Sequence, residues 1–374
     1  MKYLYILLFV AVILFATCIY NKDTLPNTIP IDVENKIEEI SFYDLFESVD
    51  VIYLETTEDC MIDQLTKKLY VDSVYYIFDR PQKTVFAFNK MGKFLFKIHN
   101  IGRGPGEYLK IVDFEINNFT NSIDLLTPFG EVLKYDREHG KFISSYHLPE
   151  SVRAVHFFKS ISRDTIVFYQ QFEKNKLLFY SLQEQMIIDE QHELPYFVNR
   201  YLPSALNWHP FHLVNGKLRL FETFSNTIYV LDKGELIPEI SWDFGNYNFD
   251  YKKLKVGMDR QYYEDYLENN SPIHVFSTYL ENHSLVIMQF FFNNSLYSLI
   301  YYKENGEYIV MDTFKEGIQF PTYPLFNENG LFSIAQPWHL KALLPEEMLS
   351  LYGITIPEEI SKENNPIILQ YTLK

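Results

Sequence analysis

The chain has 374 residues, 47% of them hydrophobic, enough to bury a large core in one domain or several. Its formal charge of −16 argues against a nucleic-acid partner, which needs clustered Lys and Arg, and no such cluster stands out. With 29 Tyr and 32 Phe the composition suits half-buried pleated surfaces better than long exposed helices, so an all-β fold is expected.

In chain order, Lys2 is followed by an apolar run from Tyr3 to Ala16 and then by Thr17, Cys18, Ile19 and Tyr20. A short charged stretch ahead of an apolar one reads as an export signal over residues 1–20, which takes the chain out of the cytoplasm. Phe15-Ala16-Thr17-Cys18 resembles a bacterial lipobox with Cys18 as the lipidated residue, although Phe15 and Thr17 depart from that pattern. An uncleaved anchor, for which Tyr3 to Tyr20 is nearly long enough, and simple secretion are the alternatives. Residues 21–35 are polar, with Pro26 and Pro30, and suit a linker between membrane and domain. Lipidation of Cys18 would leave Cys60 as the remaining thiol, so no intrachain disulfide is expected.

From residue 36 onward a hairpin keeps returning: a strand, a short polar turn, then Gly-Lys-Phe or Gly-Glu-Leu. Its turns fall near residues 92, 140, 185, 234 and 306. A period of roughly 40 to 50 residues containing only strands is the signature of a β-propeller blade. Four strands per repeat place blade one over about 64–100, blade two over 111–147, blade three over 153–190, blade four over 211–242 and blade five over 274–313. Residues 323–326, 331–335 and 367–373 supply three strands of a sixth blade, and residues 49–54 its missing outermost strand. The expected fold is therefore all-β: a six-bladed propeller of four-stranded antiparallel blades over residues 36–374, closed by both termini.

Three insertions, at 192–208, 243–272 and 336–366, interrupt the count. Residues 259–268 and 340–352 within them read as short helices. The first two insertions join an outermost strand to the next innermost one, and the third joins a second strand to a third. All three should therefore crown one mouth of the central channel. Loops this long in a compact domain are often functional.

The chain resembles the six-bladed β-propeller lipoproteins of unknown function, a bacterial family distantly like the NHL-repeat propellers. The resemblance rests on Ile101-Gly-Arg-Gly-Pro-Gly-Glu-Tyr108, Val51-Ile-Tyr-Leu-Glu-Thr56, Ser225-Asn-Thr-Ile-Tyr-Val230 and Asn365-Pro-Ile-Ile-Leu-Gln-Tyr-Thr-Leu-Lys374. It covers about residues 36–374 and implies the fold and an exported, lipid-anchored location in the cell envelope. It implies no established activity.

Candidate binding residues come from the loops. The corner after blade one offers Arg103, Glu107 and Tyr108: as a site, Arg103 would meet an anionic or hydroxyl-rich ligand; as structure, the glycines make a tight turn between blades. The insertions add Arg200, Tyr201, Trp208, His209, Trp338 and His339, aromatic faces beside polar groups that suit sugars or peptides, or that simply pin the loops. No His-Glu-x-x-His, zinc cysteine pair or Gly-x-Ser-x-Gly elbow is present. Asp113 and Glu115 on blade two's inner strand could hold Ca²⁺, or could be hydrogen-bonded carboxylates, so no cofactor is expected beyond that possible ion. The primary expectation is a binding module for a glycan, peptide or cell-envelope protein, held at the membrane by its N-terminal lipid. The alternative is a metal-assisted propeller hydrolase or lyase using Arg103, Glu107 or His339, and the third is a structural subunit of an outer-membrane complex. Propellers host all three.

Overall fold

The computed structural model describes residues 25–35, 40–152, 155–170, 173–194, 209–251, 254, 260–357, 361 and 363–374. Strand β1 (Asn27–Pro30), a short helix α1 (Phe42–Leu45) and β2 (Phe46–Tyr53) come first. Blade one follows as β3 (Leu65–Val71), β4 (Val74–Asp79), β5 (Thr84–Asn89) and β6 (Phe94–Ile98). Blade two is β7 (Asp113–Asn117), β8 (Ser122–Leu126), β9 (Glu131–Asp136) and β10 (Phe142–His147). Blade three is β11 (Phe157–Ser160), β12 (Thr165–Tyr169), β13 (Asn175–Ser181) and β14 (Met186–Glu193). Blade four is β15 (Phe211–Val214), β16 (Lys217–Leu220), β17 (Thr227–Asp232) and β18 (Glu235–Asp243). After helix α2 (Arg260–Asn270), blade five is β19 (Phe276–Glu281), β20 (Leu285–Phe292), β21 (Ser295–Tyr302) and β22 (Tyr308–Met311). Blade six is β23 (Leu325–Phe326), β24 (Gly330–Ala335) and β25 (Ile367–Leu373), with helices α3 (Leu340–Leu343) and α4 (Glu346–Leu351) between the last two strands.

The four strands of each blade are antiparallel, and the sixth blade takes its outer strand from the other end of the chain: β2 pairs with β25 from Phe46↔Leu373 to Tyr53↔Ile367. The ring is a six-bladed propeller closed by both termini, as the repeat predicts. Its hairpins turn where the local chemistry permits. Asp72 and Ser73, and again Asn293 and Asn294, take positive φ in succession, the geometry of the two-residue turn that matches strand twist.

The core lies between blades. Tyr76, Val85 and Phe96 of blade one meet Phe114, Leu125 and Tyr135 of blade two, and comparable clusters join two to three, three to four to five, five to six, and six back to one. This is why the second and third strands, such as β5 with its burial from Thr84 to Phe88, read as continuous apolar runs: both of their faces are covered. Outer strands such as β10 and β14 are largely exposed.

Two features differ from the sequence reading. Within the stretch expected as linker, β1 adds a fifth, parallel strand to the edge of β18, with Asn27 opposite Ile240 and Pro30 opposite Asp243. Ile29, Ile31 and Val33 are buried there in the cluster that contains Trp242. The nine-residue β18 would otherwise leave a long bare edge, and β1 covers it. The helix expected over 340–352 is two short helices, because Pro345 lacks the amide needed to continue α3 and starts α4 instead.

Candidate functional site

The inner strands β3, β7, β11, β15, β19 and β23 surround the channel, and charged groups from several of them meet there. Lys67 of β3 reaches across to blade two, where its Nζ donates to Asp113 Oδ1 at 2.7 Å and to the Phe114 carbonyl at 2.6 Å. Its third contact is His209 Nε2 at 2.7 Å. Asp113 in turn accepts from the Phe158 amide at 3.2 Å. One ammonium and one carboxylate thus brace four inner segments. Burial by itself would raise the Asp113 carboxyl, but Lys67 and His209 beside it hold it down at about 2. Burial pushes His209 below its ordinary value and, with His209 beside it, His212 down to about 3, so both imidazoles are neutral near pH 7.

Deeper along the same wall, Glu115 accepts from Ser160 Oγ at 2.6 Å and pairs with Lys159 at 3.0 Å. The two carboxylates considered for Ca²⁺ are therefore engaged by protein cations and donors. No group of three or more metal-ligating side chains occurs among the described residues. On the opposite side Glu281 receives Arg219, Lys303 and the Tyr279 hydroxyl.

Two cavities stack along this axis. One, about 280 Å³ and toward the ends of the inner strands, is lined by Lys67, Glu115, Lys159, His212, Glu281 and Phe326, among others. The other, about 160 Å³, lies where the inner strands begin, on the side of the insertions. Its wall is mostly apolar, including Leu65, Leu69, Phe211, Leu280 and Leu325, and its polar groups include Lys67, Lys68, His209, His212 and Thr278. Among the described residues no carboxylate lines it, in a chain of net charge −16. Tyr323 on its rim holds φ +46, a left-handed conformation costly for an aromatic residue. Gln289 supports that segment, accepting from the Tyr323 amide at 3.3 Å and donating to the Pro321 carbonyl at 3.1 Å.

Of the residues picked out from sequence, His209 lines both cavities and Glu115 the 280 Å³ one, and no other among those described lines either. Arg200, Tyr201, Trp208 and Cys18 lie outside the described residues. Trp338 and His339 are exposed on the loop between β24 and β25, edge to face at 5.7 Å. Arg103 is exposed. Glu107 folds back over its own loop, where Oε2 accepts from the Gly104 amide at 2.7 Å. Tyr108 is a pillar of the corner: it is buried, and its hydroxyl lies 2.9 Å and 3.1 Å from the Lys83 and Ile98 carbonyls. The corner is built on Gly106, at φ +74, whose carbonyl accepts from Tyr135 and where a Cβ would sit 2.4 Å from Phe142. Gly106→Ala is expected to cost about 2–4 kcal/mol, from left-handed backbone plus overpacking, whereas Arg103→Ala should leave urea unfolding unchanged.

Sequence reasoning missed Lys67, Lys68, His212 and Thr278. The available signal was Lys67-Lys68 in the middle of Leu65–Val71, two charges inside an inner strand of an acidic chain.

The family comparison accounts for nearly the whole chain: the model of a domain of unknown function, DUF4934, matches residues 26–372. The chain belongs to the DUF4934 family. Its match begins one residue before β1, so the family unit includes the edge strand as well as the six blades. Among solved structures, this DUF4934 chain is similar to a "Putative exported protein" from Bacteroides fragilis NCTC 9343, at 16% identity and TM-score 0.71, covering 94% of this chain and 100% of that one. It is also similar to a member of the DUF4221 family from Bacteroides vulgatus ATCC 8482, at 11% identity and TM-score 0.56, covering 88% and 98%. At these identities the likeness is one of fold. A search of the curated proteins found no match.

Proposed function

We propose that the chain is an exported, lipid-anchored binding module that takes a small ligand into the mouth of its central channel. The carrying observation is the 160 Å³ cavity, an apolar pocket with a few polar groups at the insertion-bearing end of a rigid ring. Export is supported by the charged-then-apolar N-terminus ending at Cys18 and by the name of the Bacteroides fragilis relative. The direction of β1 fits such an anchor. Because β1 runs parallel to β18, with Asn27 opposite Ile240 and Pro30 opposite Asp243, its N-terminal end points toward the Lys233–Gly234 end of the blade, away from the cavity. A lipid on Cys18 would tether that face and leave the mouth pointing away from the bilayer.

A rim reading, in which a glycan or peptide stacks on the loop surface, is favoured by Trp338, which is 41% exposed beside His339. Thermal-shift screening of the protein against glycans, peptides and small organic acids, with and without chelator, separates the readings. A saturating channel ligand should stabilise by a few kcal/mol. Its shift is expected to vanish in Leu69→Trp, which fills both cavities, and to survive in Trp338→Ala. The reverse pattern would move the site to the rim, and a shift abolished by chelator and restored by Ca²⁺ would favour the metal-assisted hydrolase.

A further inference from the structure

The two neighbouring lysines of β3 have opposite surroundings. Lys67 spends its three donors on Asp113, the Phe114 carbonyl and His209. Lys68 lines the 160 Å³ cavity and makes no hydrogen bond or ion pair among the described residues. On the β19 side of the cavity Thr278 is 7% exposed, and its Oγ1 has no partner among the described residues. Buried polar groups in native proteins are almost always satisfied, so the Thr278 hydroxyl is a deficit that a ligand acceptor would remove, and Lys68, half-buried on the same cavity, is a second donor free to meet it. The two imidazoles on the wall are neutral, and Lys67 is already neutralised by Asp113, which leaves Lys68 as the cavity's uncompensated cation among the described residues.

Resting on the channel reading above, we propose that the ligand is a small amphipathic monocarboxylate: its carboxylate accepts from Lys68 Nζ and Thr278 Oγ1, and its apolar body lies against Leu65, Leu69, Leu280 and Leu325. A glycan lacks the apolar body, and a cation would meet lysine with no carboxylate to balance it. Phosphate-bearing ligands are less suited, because the wall is apolar beyond these two donors. Burial holds the Lys68 ammonium at about 7, so capture of a carboxylate would be coupled to proton uptake: binding is strong below pH 7 and weakens as pH rises above it.

The test is calorimetric titration of the full-length protein in detergent with phenylacetate and hexanoate, beside the neutral amides phenylacetamide and hexanamide. Both acids should bind, with the amides roughly tenfold or more weaker, as expected for loss of a hydrogen bond to a charged group. Lys68→Met should weaken the acids roughly tenfold or more and leave the amides unchanged; Thr278→Val, a near-isosteric change, should weaken the acids a few-fold; Trp338→Ala should change nothing. Acid affinity should fall roughly tenfold per pH unit above about 7 in the wild type and become pH-independent in Lys68→Met. Amides that bind as tightly as acids, with Leu69→Trp abolishing both, would overturn the carboxylate assignment while leaving the channel reading intact. Absence of acid binding, or acid binding indifferent to Lys68→Met, would overturn the inference outright, and circular-dichroism melting confirms that each variant is folded.

Discussion

Deletion of residues 367–374 is expected to abolish the cooperative melting transition of the whole domain. Strand β25 is the joint of the ring, pairing with β24 on one side and with β2, more than 300 residues away in sequence, on the other. Ile367, Ile368, Leu369 and Tyr371 are all buried, and burying four such side chains contributes about 6–12 kcal/mol, comparable to the full stability of a domain. Without them blades one and five would also lose cover, since the clusters on both sides of blade six contain β25 residues. Calorimetry or circular dichroism reads the result directly. A deletion that kept the wild-type transition would mean that the ring is not closed through this strand.

Asp113→Ala should be the most damaging single substitution in the channel, at about 3–5 kcal/mol, because it leaves the Lys67 ammonium buried without its counter-charge. The companion variant Lys67→Met/Asp113→Leu removes both charges and should recover much of that loss, as replacement of a buried pair by apolar groups often does. Acid titration gives an independent reading. The folded Asp113 carboxyl stands at about 2 against an ordinary 3.8, so its contribution is fully present above pH ~4 and is lost as pH falls towards 2. The loss should amount to about 2 kcal/mol. Comparing urea unfolding of wild type and Asp113→Asn at pH 5 and pH 2.5 checks this: the gap between them should narrow at the lower pH.

The ring was legible because its signals are local and repeated. Turn glycines at 92, 140, 234 and 306 and the apolar runs between them mark each hairpin, and the incomplete sets of strands at the two ends imply each other. Strand β1 was not legible, since Asn27-Thr-Ile-Pro30 has a linker's composition and becomes a strand only because β18 offers it an edge. The site was legible at one residue, His209. In sequence the loop residues Arg103, Glu107 and Tyr108 look like binding residues, yet Glu107 and Tyr108 are spent on holding the Gly106 corner. The cavity's own groups come from β3, β15 and β19, far apart in sequence. Which of two adjacent lysines is satisfied depends on Asp113 and His209 arriving from other blades, and a single strand carries no record of that.

The most direct measurement is a crystal structure of the protein grown in saturating phenylacetate. Density is expected in the cavity where the inner strands begin, with the carboxylate in hydrogen-bond range of Lys68 and Thr278 and the ring against Leu65 and Leu280. An empty cavity would contradict the carboxylate assignment, and density on the Trp338 and His339 loop instead would contradict a channel-borne ligand.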